Sequence, residues 1–293
     1  MSLRAERPEM NNNFLKDIRR IRAMSFGPPD VVIWILVLIF FMGAAIIGHG
    51  SLKLSLLGAT SLVVLMFLVG AAVEAIIEAI RDLKGLGTLA GFITNGPEAL
   101  CLIVGLVAGD LLYATSTPLG SNVMNPLMLF IAALISGSFI LTVKTNPRYS
   151  LTCITLTAAL AVSFPFLPEK LYPVWLAAGV LVTIPLFVKR PPEPADNGQK
   201  NEFSKLWIFP AFLVLLAAGY VLDPVVSFTA EQSHAPKGAI GFFVLATLTS
   251  WPEFKSSLGL LRRGKPLAAV LNITVSNITN IWLGVIGIII HIL

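Results

Sequence analysis

A chain of 293 residues that is 56% hydrophobic, 13% charged and has a mean hydropathy of +0.83 carries about half the charge of an ordinary soluble protein. Its apolar residues come in runs of helical length that do not alternate with polar ones. This excludes a β-barrel and leaves an all-α, polytopic membrane protein. The net charge of +5 is explained by basic loops facing an anionic leaflet, so no nucleic-acid partner is expected.

The first 30 residues are polar and basic, with Asn11, Asn12 and Asn13 followed by an amphipathic stretch from Phe14 to Met24. The first apolar run ends in His49-Gly50-Ser51-Leu52 without a small-residue cleavage site, and it reads as an uncleaved span. In chain order the predicted spans are 31–49, 55–80, 87–109, 114–136, 150–167, 170–188, 206–229, 238–261 and 266–293, nine in all. Spans 55–80 and 206–229 are long enough to require tilt or overrun. Putting the amino terminus in the cytoplasm places seventeen Lys and Arg residues in inner loops against three outside, with Lys255 inside a span. The carboxyl terminus then lies outside, and the expected location is a bacterial inner (plasma) membrane. Cys101 and Cys153 sit in apolar runs and read as small hydrophobes, and His49, His234 and His291 stand singly near span ends without metal-ligand spacing.

The segment Pro191 to Gln199 is a flexible linker by composition and divides the chain. Across it the sequence repeats. Thr94, Pro97, Glu98, Ser121, Asn122 and Asn125 recur as Thr249, Pro252, Glu253, Ser276, Asn277 and Asn280, every pair 155 residues apart. These polar or helix-breaking residues interrupt apolar surroundings, so shared hydrophobicity does not explain their register. With the orientation above, span 87–109 runs outward and span 238–261 inward, which predicts inverted-topology repeats with a site near the midplane. Thr94 and Glu98 share a helix face, as do Thr249 and Glu253. Pro97 and Pro252 supply no donor for the carbonyls of Ile93 and Leu248. Carboxylates, hydroxyls, amides and freed carbonyls form an all-oxygen set that suits a hard cation such as Ca²⁺ or Na⁺. Glu74 and Glu78 have no repeat partner and read as interfacial, or as partners of Arg81 or Lys84.

The motifs TNGPE (94–98) with GSNVMNP (120–126), and TSWPE (249–253) with SNITN (276–280), resemble those of the calcium/cation antiporter superfamily, the sodium/calcium exchangers in particular, over roughly residues 55–293. The resemblance implies that Glu98 and Glu253 clamp calcium with oxygens of Thr94 and Thr249. It implies an outer sodium site from the Gly91 carbonyl, Thr94, Glu98 and Ser121. The inner counterpart uses the Ala246 carbonyl, Thr249, Ser250, Glu253 and Ser276, with Asn125 and Asn280 lining the middle. The transported cations are then Ca²⁺ and Na⁺, with no cofactor. Where the family carries an aspartate this chain has Asn280, and Asn95 replaces a serine. Ile93 and Leu248 replace glycines, and Lys255 is unusual: it either snorkels along another face or pairs with a carboxylate. The divisions expected are a cytoplasmic segment 1–30, an additional transmembrane helix 31–49, a first exchanger repeat 50–188, a linker 189–205 and a shortened second repeat 206–293. Two other readings stay open: proton/cation exchange, since a carboxylic acid in low dielectric can carry a proton, and a non-transporting scaffold or sensor. No nucleophile–base pair suggests an enzyme.

Overall fold

Pro28 begins the first long helix because it needs no donor in the opening turn, and Asp30 closes that turn by accepting from the Gly27 amide at 2.6 Å. The computed structural model describes residues 16, 17, 19, 27–80, 85–193 and 203–293, and among these there is no strand. Helix α1 spans Pro28–Ile47 and α2 spans Leu52–Ala79, capped by Ser51. At about 1.5 Å per residue α2 is longer than the ~30 Å hydrocarbon core. The next span is broken into α3 (Leu86–Ile93) and α4 (Gly96–Val107). Helix α5 (Leu111–Ile135) starts on Asp110, whose carboxylate accepts from the Tyr113 amide, and it contains Pro118 and Pro126. A short α6 (Phe139–Lys144) occupies a loop that the hydropathy pattern leaves blank. Helices α7 (Pro147–Ser163), α8 (Tyr172–Val188) and α9 (Ile208–Ser233) follow. The span expected at 238–261 is a turn at Lys237–Ala239, a π-helix at Ile240–Leu245, α10 (Ala246–Thr249) and α11 (Trp251–Arg262). Helix α12 (Pro266–Ile292) ends the chain.

Among the described residues, eight segments are long and apolar enough to cross a membrane. The ninth expected span is the broken run 237–262. The 86–107 run is also broken yet is among the eight, so what sets 237–262 apart is composition: it carries Lys237, Glu253, Lys255 and Arg262 and is less apolar. The protein is a polytopic all-α membrane protein.

Burial sets the layers. The most apolar windows of α12 and α5 are 67% and 56% buried, whereas those of α1, α7, α8 and α9 are only 17–22% buried and face outward with large apolar side chains. Phe41 of α1, Leu62 of α2 and Val226 of α9 share one core cluster with Ile240 of the π-helix. Close backbone approach depends on glycine. A Cβ on Gly91 would meet the Asn272 carbonyl oxygen at 2.6 Å, and one on Gly120 would meet that of Phe242 at 2.5 Å. Small residues of this kind let membrane helices pack backbone to backbone. Here they press α3 onto α12, and α5 onto the π-helix.

Candidate cation site

Both helix breaks end on a proline in the first turn of a new helix, where its missing N–H costs nothing. That turn places Glu98 at the start of α4 and Glu253 at the start of α11, each at a positive helix end. Both side chains are fully buried.

Ser121 of α5 donates to Glu98 Oε1 at 2.9 Å, and Ser276 of α12 donates to Glu253 Oε1 at 3.0 Å. The two bonds are related by the same offset as the sequence motifs. In each case the second oxygen, Oε2, has no partner among the described residues. The hydroxyls also reach across the chain. Ser121 Oγ lies 3.3 Å from Thr249 Oγ1, and Ser276 donates to Asn95 Oδ1 at 2.8 Å. Thr249 lies against Glu98, and Thr94 lies against Glu253. The sequence groups Thr94 and Ser121 around Glu98. The geometry adds crossed pairs, with each glutamate meeting the threonine of the other break.

Asn95 donates to the Gly91 and Ser276 carbonyls, both at 3.0 Å. Asn125 donates to Ser276 Oγ at 2.8 Å and to Asn277 Oδ1 at 3.0 Å. Ser276 therefore has one proton and two acceptors for it, Asn95 Oδ1 and Glu253 Oε1. The orientations of the amides are fixed by these partners: Asn95 faces two carbonyls with its nitrogen, and Asn277 donates to the Asn122 carbonyl and Thr157 Oγ1. Ser250 Oγ and both side-chain polar atoms of Asn280 are buried without a partner among the described residues. The Ala246 carbonyl accepts from Thr249 at 3.4 Å.

Two further polar residues hold matched positions that a search for identical pairs passes over. Asn272 and Thr117 lie four residues before Ser276 and Ser121, at the same offset from each other, both fully buried and each with an oxygen lacking a partner among the described residues. Their signal is polarity one helical turn along rather than identity. Asn272 also donates to Ser257 Oγ at 3.1 Å and toward the Glu253 carbonyl at 3.4 Å.

Lys255 pairs rather than snorkels. Its ammonium lies 2.9 Å from Asp30 Oδ1 and 3.2 Å from Glu74 Oε1, and Trp251 Nε1 donates to the same Asp30 oxygen at 2.5 Å. Glu74 thus meets a cation from the other end of the chain, while Arg81 and Lys84 lie outside the described residues. A cavity of about 400 Å³ lies over this cluster, lined by Asp30, Glu74, Glu78, Pro252 and Lys255 among others. Cys101 and Cys153 are free and buried.

Two ionisable acids enclosed together, with no ion-pair partner among the described residues, need a positive charge or a proton. Among the described residues, the groups that hydrogen-bond to them or to their serine partners offer oxygen or amide, which matches a hard, dehydrated cation. The family model described as sodium/calcium exchanger protein matches residues 204–293. Neither a curated protein nor a solved structure matches the chain. The matched segment contains α9 through α12, including Glu253 and Ser276. Over residues 204–293, about a third of its length, the chain is therefore similar to the sodium/calcium exchanger protein family.

Proposed function

We propose that the chain is an antiporter exchanging Ca²⁺ for Na⁺ by alternating access, with Glu98 and Glu253 as shared ligands. The observation that carries this reading is the pair of fully buried carboxylates at broken-helix N-termini, each held by a serine in the same register and neither paired with a base among the described residues. Residues 50–188 and 206–293 act as inverted repeats in this scheme, with the cation between them. A divalent cation neutralises both acids. Monovalent ions use the same oxygens with Thr94, Thr249, Ser121, Ser250 and Ser276, so the two cargoes exclude each other. Asn125, Asn280 and the Ala246 and Gly91 carbonyls border the space. Only a charge-compensated site crosses the barrier, and coupling follows.

Glu98→Gln and Glu253→Gln are each expected to abolish sodium-driven calcium uptake in proteoliposomes while the protein remains folded. Wild-type uptake by Glu98→Gln would end the proposal.

One observation favours a second reading, proton/cation exchange. Ser276 cannot donate to Asn95 and Glu253 at once, and a proton on Glu253 completes the network by donating to Ser276 Oγ. Calcium flux driven by a pH gradient in sodium-free buffer separates the two: its presence favours protons, its absence sodium.

A further inference from the structure

The 155-residue offset makes two half-sites comparable group by group. One is joined by hydrogen bonds among Gly91, Asn95, Glu253 and Ser276, and the offset assigns Ala246, Ser250, Glu98 and Ser121 as its counterpart. Equivalent halves would offer a cation the same oxygens, and these do not. At position 250 the side chain is a serine, fully buried, whose Oγ has no partner among the described residues. At position 95 it is an asparagine with its polar atoms committed. Its nitrogen lies 3.0 Å from the carbonyl oxygens of both Gly91 and Ser276, and its oxygen accepts the Ser276 hydroxyl at 2.8 Å.

The position of that nitrogen matters most. A hard cation bridging the Gly91 and Ser276 carbonyls would have to sit between them, at about 2.3–2.6 Å from each if it were calcium. The amide nitrogen already stands in that place and bonds both oxygens. Being neutral, it replaces coordination without supplying charge, and Glu253 Oε2 still has no partner among the described residues.

We infer that Asn95 is a built-in occupant of one half-site, standing where a monovalent cation would bind, and that it sets the sodium stoichiometry of the exchanger by leaving only the Ser250 half-site open to sodium. The inference rests on the proposed calcium/sodium reading and deepens it. Each cycle then moves one monovalent ion fewer than two open halves would. A merely structural Asn95, capping the end of α3 against α12, would affect stability and leave sodium cooperativity untouched.

The test uses the full chain, wild type, Asn95→Ser and Ser250→Asn, with bound ⁴⁵Ca²⁺ displaced by rising Na⁺. The Hill coefficient cannot exceed the number of interacting sites. Asn95→Ser is expected to steepen displacement, raising the coefficient by about one. Ser250→Asn is expected to flatten it, because the open half is filled in turn. An unchanged slope in an Asn95→Ser protein that still binds calcium overturns the inference. If that variant does not fold, a wild-type slope in Ser250→Asn overturns it equally. Wild-type protein that binds no calcium would instead remove the exchanger reading and this inference with it.

Discussion

Among the described residues, Ser276 concentrates more hydrogen bonds than any other hydroxyl at the site: Asn95, Asn125 and Glu253 all meet its Oγ, whereas Ser121 Oγ meets Glu98 and Thr249. Removing a hydroxyl from a buried network costs the desolvation of each partner left behind, about 1–3 kcal/mol per group. Ser276→Ala is therefore expected to lower the unfolding midpoint in detergent more than Ser121→Ala does. Equal midpoints for the two variants would show that the extra partners contribute nothing. The comparison is fair because both positions are fully buried on the two most enclosed helices.

At the scale of elements, the broken helices depend on glycine as much as on proline. Gly91 faces the backbone of α12 so closely that an added methyl would meet the Asn272 carbonyl, and a carbonyl in a packed helix cannot swing aside. Gly91→Ala is expected to destabilise by about 1–3 kcal/mol, read as a lower thermal midpoint. Gly43→Ala, where nothing lies near, is the control, and similar losses at both positions would contradict the packing argument. Much of this arrangement was legible in the sequence. Prolines and glutamates in hydrocarbon are costly enough to stand out, and their register survives across 155 residues, so Glu98, Glu253, Ser121 and Ser276 could be named in advance. The span boundaries follow from hydropathy to within a few residues. What was not legible depends on packing. No periodicity announces the π-helix at Ile240–Leu245, because its residues are as apolar as those of a regular turn. Asn272 and Thr117 differ in type, so an identity search passes them over. The crossing of Thr94 to Glu253 arises only when the two halves meet.

At the scale of the whole molecule, the partners of Lys255 lie 225 and 181 residues away along the chain, at Asp30 and Glu74. No local pattern could have chosen between snorkelling and pairing. The pair ties α1 and α2 to α11, two residues beyond Glu253, at the edge of the 400 Å³ cavity. Breaking a buried pair by removing one partner typically costs about 3–5 kcal/mol, because the acids left behind stay in place. Lys255→Met should destabilise the fold on that scale, and Asp30→Asn combined with Lys255→Met should recover part of the loss. A double variant no better than the single would refute the coupling. The crossed hydroxyls carry a different consequence. Since Ser121 touches Glu98 from one break and Thr249 from the other, the proposed cation site is also a seam between the two breaks. Under the proposed exchange, a bound cation would mortar that seam. Calcium at a hundred times its dissociation constant should raise stability by about 2.7 kcal/mol, and chelating it should leave an emptied protein that melts sooner.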